Sequence, residues 1–155
     1  MSDLADLTIL EAAAGLRAGE FTALDLLEAV LRRAAITESH LHAYLTIDRD
    51  GAIAAARAAD EALAGGDDRP LLGIPVALKD NMVTRGIETT ASSQILAGWK
   101  PPYDGTAAAR LRSGGAVYDA LVAAAAVHHG LPLVSRDQRA LDTYRTLGLD
   151  VEFLG

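Results

Sequence analysis

Lys79 is the residue whose position in the sequence most favours chemistry. It follows an apolar run, residues 73–78, in which isoleucine, valine and leucine alternate with proline and alanine. This alternation predicts a half-buried strand, and Pro75 argues against a central strand that is paired on both sides. Functional groups collect at the C-terminal ends of strands in α/β folds. The sequence therefore indicates a candidate site at Lys79, although a lone lysine at a strand end is usually a solvated charge.

The nonamer Gly-Ile-Pro-Val-Ala-Leu-Lys-Asp-Asn at residues 73–81 resembles the lysine-bearing strand of the amidase-signature family. Within that family it is most similar to the A subunits of tRNA-dependent amidotransferases. The stretches Thr-Thr-Ala-Ser-Ser-Gln-Ile-Leu at residues 89–96 and Pro-Pro-Tyr-Asp-Gly-Thr at residues 101–106 continue the resemblance. It covers roughly residues 7–117, far more than a short motif would.

The resemblance implies a catalytic triad of a nucleophilic serine, a bridging serine in the cis conformation and a lysine base, with Lys79 at the base position. Such a lysine must be neutral to accept a proton, which burial can achieve. The sequence contains no Gly-Gly-Ser-Ser-Gly stretch, and Ser135 is the only serine after Ser113. Ser92 and Ser93 match a position upstream of the nucleophile in the family. We therefore expect a catalytically incomplete amidase that requires no cofactor.

Residues 117–155 resemble a second family, the PIN-domain ribonucleases of the VapC toxin type. The resemblance is carried by Val-Tyr-Asp-Ala-Leu at residues 117–121 and by Leu-Pro-Leu-Val-Ser-Arg-Asp at residues 131–137. It implies that Asp119 and Asp137 are metal ligands, because clustered carboxylates bind Mg²⁺ or Mn²⁺ beside a scissile phosphate. The first acidic positions of such a domain are missing, so the expected metal site is weak. Either aspartate could instead cap a helix.

The elements that would position these residues follow from local signals. Thr8 with Glu11, and Thr22 with Asp25, form capping boxes that predict two tandem helices, the first closed by Gly19. The other predicted elements are a strand at residues 43–47, a helix at residues 52–64 capped near Asp50, a helix from a Thr106 cap to Arg112 stopped by Gly114 and Gly115, and, in the tail, a helix at 119–129, a strand at 131–135, a helix at 138–147 and a strand at 151–154.

Composition limits the class of protein. Half of the 155 residues are hydrophobic, the formal net charge is −7, and there is no cysteine. The composition predicts a globular chain without disulfides, and the acidic balance argues against nucleic acid as a partner. No apolar run reaches membrane-spanning length, so a membrane is not an expected partner and the cytoplasm is the expected location.

The resulting prediction is an α/β chain with two parts, an amidase-like fragment at residues 1–116 and a PIN-like αβαβ tail at residues 117–155. The expected function is that of an amidotransferase A-type fragment fused to a toxin-like tail. The alternative is a VapC-type ribonuclease toxin with a replaced N-terminus, for which Glu88 and Asp104 are the first candidates for additional carboxylates. Both sheets would have unpaired edges, which could drive self-association. By resemblance, B- or C-type amidotransferase subunits or an antitoxin are further expected partners.

Overall fold

The computed structural model describes residues 3–119, 133–135 and 151–153 of the chain. Its elements are four α-helices, two short 3-10 turns and four short strands within these described residues. In chain order they are a 3-10 turn at Leu4–Asp6, α1 at Ile9–Ala18, α2 at Ala23–Leu41, α3 at Arg49–Ala64, β1 at Pro75–Ala77, a 3-10 turn at Gln94–Leu96, α4 at Thr106–Ser113, β2 at Val117–Asp119, β3 at Leu133–Ser135 and β4 at Val151–Phe153.

Both predicted capping boxes are confirmed at the starts of α1 and α2. The Thr8 amide donates to Glu11 Oε2 at 2.8 Å, and the Glu11 amide donates back to Thr8 Oγ1 at 3.3 Å. Thr22 and Asp25 repeat the arrangement at 2.9 and 3.0 Å. These bonds satisfy helix-terminal amides that have no partner within the helix, and the αL conformation of Gly19 ends α1 as predicted.

The N-terminus of α2 is also tied to α3. Asp60 of α3 accepts hydrogen bonds from the Ala23 amide at 2.6 Å and from the Leu24 amide at 3.3 Å. Ala23 is fully buried, so water cannot satisfy its amide, and Asp60 does so instead. The side-chain cap of α3 is Asp48, which accepts from the Gly51 amide and so begins the helix slightly earlier than Asp50 would.

One hydrophobic core lies between the three long helices and β1 and β2. Alanines make up about half of its buried members, and α3 contributes only alanines to it. The buried members are Ala12, Ala13, Leu16, Ala23, Leu26, Leu27, Leu31, Ala52, Ala56, Ala59, Leu72, Ile74 and Val117. Ile74, directly before β1, and Val117, the first residue of β2, both belong to this cluster, so core packing positions the start of the β1–β2 pair.

β1 and β2 pair in parallel, with Pro75 opposite Val117 and Ala77 opposite Asp119. The pairing extends before the strands, since the Gly73 amide donates to the Gly115 carbonyl at 3.2 Å. Asp119 is thus the last residue of a strand, whereas the sequence predicted that a helix would start there. The remainder of that predicted helix lies outside the described residues.

β3 and β4 also pair in parallel, with Leu133 opposite Val151 and Ser135 opposite Phe153. Both strands were predicted in the tail, and parallel pairing is what alternating helices and strands favour. The predicted helix at residues 138–147 between them lies outside the described residues. Within the described strands, β1 with β2 and β3 with β4 form two separate two-stranded sheets.

The strand predicted at residues 43–47 was wrong. This segment is the irregular connection between α2 and α3, and its first amides donate to the Glu38 carboxylate, Ala43 at 2.8 Å and Tyr44 at 3.2 Å. The alternating pattern was real, but Leu45 and Ile47 are exposed rather than buried. The Glu38 carboxylate, near the end of α2, accepts the hydrogen bonds that the amides of Ala43 and Tyr44 would otherwise have donated to a neighbouring strand.

The predicted Thr106 cap was also wrong by one position. Gly105 is the N-cap of α4, no side chain caps this helix, and Thr106 is its first residue. The Gly105 amide donates to the Val83 carbonyl at 2.8 Å, and this contact with the preceding loop fixes where α4 begins.

Candidate functional site

Lys79 lies two residues after β1, at the C-terminal edge of the β1–β2 sheet, as predicted. Leu78 before it is buried, while the Lys79 side chain itself is exposed. Its carbonyl accepts a hydrogen bond from the Met82 amide at 2.7 Å, which turns the chain away from the strand. Within the described residues, the Lys79 ammonium has no hydrogen-bond or ion-pair partner. The described part of the chain therefore does not enclose the Lys79 side chain.

Asp80, the next residue, is the buried polar centre of the site. It is only 5% exposed. Its carboxylate accepts hydrogen bonds from the Thr90 amide at 2.7 Å, from the Thr90 hydroxyl, and from the Ser92 amide at 3.2 Å. A buried carboxylate is tolerated only when its oxygens are satisfied in this way. Asp80 therefore fixes residues 90–92 against the end of the lysine strand.

The loop held by Asp80 has an unusual backbone. Ala91 and Ser92 both have positive φ, at 47° and 60°, a conformation that side-chain-bearing residues rarely adopt. The Ala91 amide donates to the Asp80 carbonyl at 3.3 Å, and the Ser93 amide donates to the Thr90 carbonyl at 2.8 Å. No hydrogen bond joins the hydroxyls of Ser92 or Ser93 to Lys79 in the described structure. These serines do not serve as partners of the lysine here.

Local hydrogen bonds hold the rest of the irregular segment, residues 81–105. The Glu88 carboxylate accepts from the Gly98 amide at 2.6 Å, and the Asp104 carboxylate accepts from the Arg85 amide at 2.8 Å. Asp104 also forms an ion pair with Arg112 at 3.4 Å. Glu88 and Asp104, the candidates for additional metal-binding carboxylates, therefore have structural roles in this loop. Sequence reasoning missed Asp80, although an aspartate adjacent to Lys79 and close to the end of a strand was a usable signal.

The expected metal site receives no support from the described residues. No group of three or more histidine, cysteine or acidic side chains that could hold a metal ion is found among them. Asp119 ends β2 in one sheet, while β3, the strand before Asp137, belongs to the other sheet, and Asp137 lies outside the described residues. The residues described do not form the oxygen cluster that Mg²⁺ or Mn²⁺ requires.

Comparison with known sequences identifies the family. The sequence model of the amidase family, described as "Amidase", matches residues 25–121, more than half of the chain. The chain is 47% identical over 118 residues to the A subunit of glutamyl-tRNA(Gln) amidotransferase from Salinispora arenicola (strain CNS-205), and 48% identical over 118 residues to that of Streptomyces coelicolor (strain ATCC BAA-471 / A3(2) / M145). Each alignment covers 76% of this chain and 24% of the relative. The chain belongs to the amidase family, and it spans about a quarter of the length of these relatives.

Comparison with solved structures agrees. The native peptide amidase of Stenotrophomonas maltophilia superposes with a TM-score of 0.70 at 32% identity, over 75% of this chain and 24% of that one. The amidase-like part of the prediction is therefore confirmed at the level of family and fold. In the part of the chain that the structure describes, no helix is long and apolar enough to cross a membrane.

Proposed function

We propose that this chain is the lysine-bearing N-terminal part of an amidase of the amidotransferase A-subunit type, and that these 155 residues alone do not hydrolyse amides. The sequence identity to the A subunits and the nonamer around Lys79 support this assignment. These relatives are named as subunits of glutamyl-tRNA(Gln) amidotransferase. The proposed substrate class of the complete enzyme is therefore the side-chain amide of glutamine.

The observation that carries the proposal is the state of Lys79. Lys79 matches the family's base position by sequence resemblance alone. Its side chain is exposed, and it forms no hydrogen bond with a serine among the described residues. Nucleophilic attack by a serine needs a base within hydrogen-bond reach, and the described residues provide no such pair.

An amide hydrolysis assay tests the proposal. The purified chain should release no ammonia from glutamine or asparagine and no product from aryl amides, and Lys79→Ala should behave identically. The positive control, assayed in parallel, is the full-length A protein of a related amidotransferase. Turnover by this chain that disappears in Lys79→Ala would overturn the proposal.

For the tail, we propose a PIN-like origin without ribonuclease activity. The sequence resemblance of residues 117–155 and the parallel β3–β4 pair support it. Asp119 and Asp137 would bind Mg²⁺ or Mn²⁺ weakly at most, because two carboxylates leave a hard cation with too few oxygen ligands. The chain should not cleave single-stranded RNA when Mn²⁺ is added. Cleavage that is lost in both Asp119→Asn and Asp137→Asn would establish a nuclease instead.

The proposed setting is the cytoplasm, with partners of the B- or C-subunit type suggested by the relatives, which are themselves named as subunits. Co-expression with the B and C subunits of a related bacterium, followed by size-exclusion chromatography, tests this part of the proposal. Co-elution with either of the two is the expected result. An antitoxin partner follows only from the PIN-like resemblance, and self-association only from the sheet edges.

A further inference from the structure

A groove with an apolar floor and an acidic rim lies between the first two helices, and Lys79 is not among its lining residues. Its volume is about 710 Å³. Residues 11, 14 and 15 line it from α1, and residues 21, 25, 28 and 32 line it from the start of α2 and the turn before it. Residues 11, 14 and 15 share one face of α1, and residues 25, 28 and 32 share one face of α2, because residues three, four or seven apart lie on the same side of a helix. The groove is thus built from two regular faces rather than from a loose loop.

The floor is apolar and accessible. It consists of Leu4, Leu7 and Phe21, all half-buried and packed against the edge of the core. Phe21 lies over Gly15, where an added Cβ would overlap its ring, so the glycine leaves room for the aromatic side chain. Half-buried large side chains in a concavity provide apolar surface that a ligand can still remove from water.

The N-terminal turn that carries Leu4 is fastened to α2. Arg33 forms ion pairs with Asp3, the N-cap of the turn, and with Asp6, its last residue, both at 2.9 Å. Leu4 and Leu7 are therefore part of a positioned surface and not of a loose terminus. A groove that is already formed binds a ligand without first ordering its own walls.

The rim is strongly acidic. Four carboxylates line the groove, Glu11, Glu20, Asp25 and Glu28, and Arg32 is the single basic side chain among the lining residues. Glu11 and Asp25 already accept helix-cap bonds, which hold their pKa values below the usual range and keep them charged at neutral pH. Glu28 has Arg32 at 3.7 Å, while Glu20 has no described partner. The lining thus has an excess of three negative charges.

We propose that this groove is a docking surface for a basic amphipathic helix of a partner protein. Apolar side chains at positions i, i+3, i+4 and i+7 of such a helix would cover Leu4, Leu7 and Phe21, and flanking lysines or arginines would face the acidic rim. An acidic rim repels nucleic acid and anionic lipid, and the apolar floor gives nothing to a small hydrated cation. Charge complementarity therefore selects a basic peptide as the occupant.

The test is a binding titration of the full 155-residue chain with a fluorescent helical peptide that has leucines on one face and lysines on its flanks. One control peptide carries glutamate in place of each lysine, and another carries serine in place of each leucine. The lysine–leucine peptide should bind, both controls should fail to bind measurably, and affinity should fall at least about tenfold between about 0.15 M and 1 M salt. Equal binding of the glutamate peptide would overturn the proposal.

Matched protein variants locate the site. Glu20→Lys combined with Glu28→Lys reverses two rim charges without touching a helix cap, and should weaken binding roughly tenfold or more. Glu61→Lys combined with Asp68→Lys makes the same charge change on exposed residues outside the groove, and should change affinity less than about threefold. Circular dichroism of both variants checks that each is folded as the parent chain is. Equal affinity losses in the two pairs would overturn the proposal.

Sedimentation of the chain without peptide tests the other possible occupant of the groove, a second copy of the chain. A monomer is expected at the concentrations used for binding. A dimer that dissociates in the Glu20→Lys, Glu28→Lys variant would assign the groove to a second copy of the chain and would overturn the peptide proposal.

Discussion

At the scale of single residues, the loop beside Lys79 depends on Asp80. This one carboxylate organises Thr90 and Ser92, and no helix or strand ladder supports residues 90–92. Asp80→Asn keeps the size of the side chain but turns an acceptor into an NH₂ donor that faces other donors. We expect the free energy of unfolding to fall by about 1.5–3 kcal/mol, the usual range for a hydrogen-bonded buried charge.

Urea denaturation followed by circular dichroism measures this change. Asp68→Asn is the matched control, because Asp68 is exposed in the turn after α3, and its free energy of unfolding should change by less than about 0.5 kcal/mol. If the two variants have equal midpoints, Asp80 does not hold the loop.

Gly73, just before β1, is required for both its backbone and its lack of a side chain. Its φ is +80°, and an added Cβ would lie 2.9 Å from Ala23 Cβ and 3.1 Å from Leu16 Cδ1. Gly73→Ala should therefore lower the free energy of unfolding by about 3 kcal/mol, from backbone strain and overpacking together.

Gly66→Ala provides the comparison for Gly73→Ala in the same denaturation experiment. Gly66 has a similar φ of +83°, but nothing lies within 4 Å of its added Cβ, so only the strain of about 1 kcal/mol remains. If Gly73→Ala lowers the free energy of unfolding no more than Gly66→Ala does, then Ala23 and Leu16 move aside for the added methyl group at little energetic cost.

The sequence predicted that Lys79 follows a strand but not the roles of Asp80 and Gly73, and the reason is physical. Lys79 stands at the end of an alternating run, which is a local signal. The partners of Asp80 lie 10 and 12 residues further along the chain, and the neighbours of Gly73 lie on α1 and α2. Such contacts depend on the tertiary structure, which no local pattern encodes.

At the scale of elements, the capping boxes make the helices sensitive to acid. The pKa of Glu11 is lowered, mainly by the Thr8 amide, and the pKa of Asp25 is lowered, mainly by the Thr22 hydroxyl. A carboxyl with a lower pKa in the folded state binds fewer protons than in the unfolded state as the pH falls through this region. The caps therefore stabilise the fold fully above the usual carboxyl pKa, and this contribution disappears as the pH falls through the lowered values.

We expect the urea midpoint to fall from about pH 5 downward, and to fall less steeply in a Thr8→Ala, Thr22→Ala double variant. A series of urea titrations between about pH 3 and pH 7 measures both slopes. Thr46→Ala, in the connection between α2 and α3, is the control and should keep the parent's pH dependence. An unchanged slope in the double variant would contradict the role given to the two boxes.

Some helices and strands could be predicted from the sequence, and others could not. The starts of α1 and α2 were predicted because each capping box lies within four consecutive residues. The strand at residues 43–47 was wrong because strand formation depends on a partner, and the Glu38 carboxylate took the amides of Ala43 and Tyr44. β1, β3 and β4 were predicted, but their pairing partners and register depended on contacts distant in sequence.

At the scale of the whole molecule, the net charge of −7 governs which partners can approach. Counterion release, the main source of nonspecific nucleic acid binding, needs clustered lysines and arginines, which the sequence does not provide. We expect this chain alone to bind tRNA no more tightly than about 10 µM at about 0.15 M salt. Filter binding with labelled tRNA measures this, with a full-length amidotransferase complex as the positive control, and sub-micromolar binding would contradict it.

The β1–β2 pair has a consequence for the order in which the chain folds. The helices α1, α2 and α3 follow one another with short connections, so their mutual contacts form between near neighbours. β1 can meet β2 only after about 40 intervening residues have closed into a loop, which carries an entropic cost that local helix contacts avoid. In pulse-labelled hydrogen exchange, the amides of α2 should therefore become protected before the amide of Val76. The β1–β2 pair, which Lys79 follows, should be the last part of this core to assemble.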